Sequence, residues 1–143
     1  MVKKTFVVLI CFIGLITFVS TLHGQGSKKT ITLPSGEVIW DLKGEWDAVG
    51  EGYGDWSGVS VRGVIRIFQQ GSSFVAIRTH DFPGAGPKGS EAIRGELDKS
   101  GLKNVRFILQ YGGFLDAKGQ ISEDGNKLIF DDGEKLRVTY TRK

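Results

Sequence analysis

The sequence predicts an all-β protein: an antiparallel up-and-down β-barrel of about eight strands, placed after an apolar N-terminal leader. Three observations carry this expectation. From Gly44 to the C-terminus, successive segments alternate apolar and polar residues with period two, the spacing of strands with one dry face. Short turn signals such as Asp124-Gly125 and Asp132-Gly133 separate the segments. No stretch sustains apolar residues at helical spacing, so no long helix is expected after the leader.

The leader comes first. Lys3 and Lys4 make a basic start, an apolar run extends from Phe6 to Val19, and small or polar residues close it at Gly24, Gln25 and Gly26. This is the three-part plan of a secretory signal peptide over residues 1–26. The alternative is an uncleaved anchor helix, because Phe6–Leu22 approaches the ~18 residues that suggest a span. Either reading puts the rest of the chain outside the cytoplasm. It is then periplasmic or secreted, or held in the inner membrane facing outward. Cys11 is the single cysteine, and Ile10 before it is not the small residue a lipid-attachment site requires. Beyond the leader no disulfide and no thiolate metal site can form.

Charge excludes one class of partner. The chain has 19 Lys+Arg against 16 Asp+Glu; the leader takes two lysines and no acid, leaving 17 against 16. The signs alternate along the strands without a basic block, so nucleic-acid binding is not expected.

Residues 27–43 form an arm. Thr30–Leu33 and Val38–Trp40 flank Pro34-Ser35-Gly36-Glu37, which suggests a hairpin. Ile31, Leu33, Val38 and Trp40 are too apolar for a free linker, so the arm should pack on the barrel or across one end.

The barrel domain covers residues 44–143. Trp46, Ala48, Gly50 and Gly52 share one face of the first strand, opposite Glu45, Asp47 and Glu51. Val59, Val61, Gly63, Ile65 and Ile67 share a face of the second. Phe74–Thr79 makes the third, with an ambiguous inward face. The later strands present Ile93, Gly95 and Leu97; then Val105, Phe107, Leu109 and Tyr111; then Leu115, Ala117, Gly119 and Ile121. Leu128 with Phe130, then Leu136, Val138 and Tyr140, complete the series. Glycines on the apolar face permit the tight coiling that closure demands. A sandwich or half-open roll is the alternative architecture.

Gly44-Glu45-Trp46 opens the first barrel strand, and a G-x-W there followed by a meander resembles the lipocalin and calycin group. That resemblance implies a tryptophan closing one barrel end under a basic residue near the last strand, here Arg137 or Arg142. The chain is shorter than a typical lipocalin and lacks its disulfide. Gly44–Asp47, Gln69–Phe74 and Gly119–Lys127 are further similar to a group of small exported bacterial proteins, a likeness that implies no particular chemistry.

Thr79–Ser90 is the longest irregular loop and holds His80, the one histidine after the leader. His80-Asp81 has the composition of an oriented base, but no nucleophile is marked, and an ordinary connection is the simpler reading. Gly84–Ser90 fails as a phosphate loop because the order is Lys-Gly and no helix follows. Glu45, Asp47 and Glu51 alternate outward as a solvated face, and no metal or cofactor is expected. Tyr53 and Trp56 either plug a barrel end or grip a ligand. Trp46, Ile65, Ile67, Phe107, Tyr111 and Phe130 belong to an inward set that fills the interior or lines a ligand space. That set is almost free of charge, so a ligand should be apolar. The expected function is non-enzymatic binding of a small apolar ligand. The alternative is an envelope protein-interaction module or inhibitor acting through the arm and the loop aromatics. Contact with a membrane is expected only if the leader stays attached.

Overall fold

The computed structural model describes residues 29–143; the leader expected over residues 1–26 lies outside the described residues. β1 (Thr30–Thr32) and β2 (Val38–Trp40) form a separate two-stranded hairpin. The eight strands β3 (Gly44–Gly52), β4 (Ser60–Gln70), β5 (Ser73–Arg78), β6 (Glu91–Asp98), β7 (Gly101–Ile108), β8 (Phe114–Ile121), β9 (Lys127–Asp131) and β10 (Leu136–Arg142) close into a barrel. Each pairs antiparallel with its sequence neighbours, and β10 returns to pair with β3. Closure leaves none of the eight barrel strands at a sheet edge.

The alternation sets which residues face inward. In β3, Trp46, Ala48 and Gly50 are buried while Asp47 and Glu51 are exposed. In β5 the ambiguity resolves: Phe74, Ala76 and Arg78 are the buried residues. Register shifts between Ala76 and Ile77 and between Arg94 and Glu96 bend the wall where β6 meets its neighbours.

The inward glycines make room for neighbouring rings. A Cβ on Gly95 would lie 2.8 Å from the Phe74 ring. One on Gly63 would come within 3.0 Å of both the Phe82 and the His80 rings. Gly50 differs, since the nearest atom to its Cβ position is 3.7 Å away.

Two strand boundaries depart from the expectation. Val59 precedes β4, because its N–H donates to the Trp56 carbonyl and its carbonyl accepts from Gly52. β7 stops at Ile108, where Leu109–Gly113 makes a tight turn, and Tyr111 at its tip is 94% exposed rather than inward.

The strand directions give the barrel two unlike ends. β3 starts and β10 finishes at one end, with the connections after β4, β6 and β8 beside them. That end is sealed by the arm. Ile39 and Leu42 are buried in the core, and the Trp40 ring covers Gly125, whose Cβ would lie 2.4 Å from the indole. Gln69 ties the arm down by accepting from Leu42 N–H at 2.7 Å and donating to the Trp40 carbonyl at 3.0 Å. Above the arm sits Trp46, fully buried, with its indole N–H donating to the Leu42 carbonyl at 2.9 Å. The Arg142 guanidinium lies 4.2 Å from the Trp46 ring centroid. It also donates to the carbonyls of Asp41 (2.8 Å), Lys43 (3.2 Å) and Gly125 (3.4 Å). Arg137, the other candidate, does not reach Trp46; it faces outward and pairs with Asp131 at 2.8 Å.

Candidate functional site: the open end of the barrel

The opposite end is ringed by the loops 53–59, 79–90, 109–113 and 132–135. Below them the interior holds a cavity of about 440 Å³, within the ~300–1,000 Å³ range of small-molecule sites. Its wall is largely apolar, with Gly50, Val61, Ile93, Phe107, Val138 and Tyr140 on facing strands. Trp56 and Tyr111 stand at its mouth. The barrel is thus filled in its lower half and hollow in its upper half.

The long loop 79–90 is ordered by specific contacts. Phe82 turns back into the barrel and is buried, resting on Gly63 and tilted against His80 at a centroid distance of 4.8 Å. His80 Nε2 accepts from Val64 N–H at 3.2 Å, which leaves Nδ1 as the donor to the Asp81 carbonyl at 3.0 Å. The Asp81 carboxylate accepts from Lys88 N–H instead of orienting the imidazole. Both ring nitrogens are therefore held by backbone, and His80 acts as a staple between loop and β4.

Arg78 overturns the expectation of an uncharged interior. It ends β5 on the inward face, lines the cavity and is 7% exposed. Its Nη1 donates to Ser90 Oγ at 2.9 Å and to the Glu91 carbonyl at 2.5 Å, while Nε is buried without a partner. Phe82 lies 5.8 Å from Cζ. Burial holds the guanidinium below the ordinary arginine value, with Tyr140 the opposing influence. Tyr140 lines the same cavity, and burial pushes its phenol upward, partly offset by the Arg78 charge. Alternation within Phe74-Val75-Ala76-Ile77-Arg78 carried the signal: placing Phe74 inward places Arg78 inward too.

The residues singled out from the sequence divide into three groups. Phe107, Trp56 and Tyr111 meet at the cavity. Trp46, Ile65, Ile67 and Phe130 form the packed core beneath it. Tyr53 and His80 lie outside the cavity wall. The Tyr53 hydroxyl donates to Asp131 at 2.5 Å, and this bond, with some burial, pushes its pKa up to about 12. Burial alone would raise the Asp131 carboxyl, but bonds from Tyr53, Gly133 and Arg137 outweigh it and hold the group below the usual range. The pair clamps the 53–59 loop to the last hairpin.

An antiparallel eight-stranded closed barrel with one sealed and one open end is compatible with a calycin-like fold. Compared with protein-family models, curated proteins and solved structures, the chain matches none.

Proposed function

We propose that this protein is an exported, lipocalin-like barrel that binds a small molecule with an apolar body in its upper cavity, without catalysing a reaction. The cavity carries the reading: about 440 Å³ of largely apolar space, closed below by packed side chains and open above. Its size suits one small ligand, and burial of apolar surface drives entry. The basic start and apolar run of the leader support export. The arm favours the same reading over the interaction module, since Ile31, Leu33 and Trp40 pack against the core and only Val38 of the four apolar arm residues named for contact is exposed.

Titration of the purified protein with the neutral dye Nile red tests this. Saturable binding of one dye per chain is expected. Gly50→Leu should abolish it with the fold retained, because a Cβ there makes ordinary contacts and the longer side chain projects into the cavity. Absence of saturable binding by the wild type refutes the proposal.

A further inference from the structure

We propose that the ligand is a monoanionic amphiphile of the fatty-acid type and that Arg78, with Tyr140, is the seat for its carboxylate inside the barrel. The inference rests on the cavity-binding reading and adds the head-group chemistry.

Four observations converge on Arg78. It is more than nine-tenths buried and lines the cavity. Among the described residues it has no carboxylate partner, whereas Arg66, Arg94, Arg106 and Arg137 each have one. The Glu91 carboxylate, close in sequence to the carbonyl that Arg78 uses, turns outward to Arg94. The guanidinium is engaged through Nη1 alone, while Nε is orphaned. Nη2 has no partner among the described residues and, unlike Nε, is not sealed by its neighbours, so its N–H is the donor an incoming carboxylate meets.

Energetics explain why such a group points to a ligand. Arginine keeps its proton in proteins, so Arg78 cannot escape burial by becoming neutral. A buried charge without a counter-charge is costly, and an incoming anion removes that cost. The side chain is also preset. Gly86, at a φ of 150° that favours glycine, brings its backbone against the guanidinium, so that a Cβ would lie 3.0 Å from Cζ and Nη1. Tyr140 lines the same cavity and adds a neutral phenol to it. Arg142 shares an orphaned Nε but no site, because three carbonyls take its Nη groups and Trp46 takes its face. One cation seats one negative charge, so a carboxylate fits better than a dianionic phosphate, whose second charge would stay unpaired among apolar groups.

The test displaces Nile red from the purified protein at neutral pH with dodecanoate, dodecanol and dodecyl phosphate. Dodecanoate should displace the dye at a concentration at least about tenfold lower than dodecanol, the scale of a charged hydrogen bond. Dodecyl phosphate should fall behind dodecanoate. Arg78→Gln should shrink the acid–alcohol difference to about twofold or less without changing the dodecanol midpoint, and Arg78→Lys should restore part of it. Equal displacement by acid and alcohol in the wild type overturns the head-group assignment and leaves the cavity reading standing. A lead for dodecyl phosphate overturns the monoanion. No binding of dye or competitors overturns both readings. If Arg78→Gln does not fold, the wild-type comparison decides, with a larger thermal stabilisation by dodecanoate than by dodecanol as the second readout.

Discussion

Replacing Trp46 with alanine should remove a large share of the protein's stability. Trp46 is fully buried above the arm, and three losses coincide there. Burial of the indole ends, and truncation of a buried aromatic costs ~3–5 kcal/mol including the cavity left behind. The Leu42 carbonyl loses the indole N–H that reaches it at 2.9 Å. Arg142 loses the ring face 4.2 Å from its Cζ, a cation–π contact worth up to ~2 kcal/mol when desolvated. These terms share atoms and do not add, so ~4 kcal/mol is the expected total, against the ~5–15 kcal/mol typical of a whole domain. Trp46→Phe separates them: it keeps most of the apolar contact and loses the donor, for ~1–3 kcal/mol. Trp56→Ala is the control. Trp56 is half-buried at the mouth, and its loss should cost ~1 kcal/mol or less. Urea denaturation followed by far-ultraviolet circular dichroism measures all three variants without depending on tryptophan emission. Equal losses below ~1 kcal/mol for Trp46→Ala and Trp56→Ala would refute the account of the sealed end.

Two further predictions concern the open end. Gly63→Ala should destabilise the protein by ~1–3 kcal/mol and raise proteolysis within loop 79–90, because the added Cβ would lie 2.3 Å from the Phe82 ring; unchanged protection of the loop would contradict the packing described. Tyr53 has a folded pKa of about 12 against an ordinary 10.0, so the folded state holds its proton more tightly than the unfolded chain. Its stabilising contribution is full below pH 10.0 and is lost as pH rises toward about 12. Melting temperature measured across that window should fall more steeply for the wild type than for Tyr53→Phe. Parallel curves would show that the bond to Asp131 carries no weight.

Much of the barrel was legible because period-two patterning and turn chemistry are local signals. Trp46, Ala48 and Gly50 declare the face of β3 without help from any other strand. Ile31, Leu33 and Trp40 in the arm likewise announced that they needed cover, whereas Val38 is exposed and its neighbour Ile39 takes the inward place. What stayed hidden depends on contacts distant in sequence. Phe82 reads as a loop residue and becomes core only because Gly63, in another strand, leaves room for its ring. Tyr111 continues the alternation of Phe107 and Leu109, yet the Gly112-Gly113 turn ends the strand first. Arg78 was hidden because Phe74–Thr79 is apolar on both faces and leaves its inward side ambiguous. The period of β5 carries it inward regardless, and the Ser90 hydroxyl and Glu91 carbonyl that receive it lie beyond a long loop.

The sealed end also sets the orientation of anything joined to this protein. Asp41 N–H bonds the Lys29 carbonyl at 2.8 Å, so the first described residue lies in the arm beneath the barrel. Lys143 N–H bonds the Glu45 carbonyl at 3.2 Å, so the last residue emerges beside it. Residues 29 and 143 therefore both sit on the pole opposite the mouth. A support or surface attached at residue 29 or residue 143 would present the cavity outward, toward solvent and toward whatever diffuses there. Such a tether could be shortened a long way before it obstructed entry. Immobilised by residue 29 or by residue 143, the barrel behaves as an upright cup.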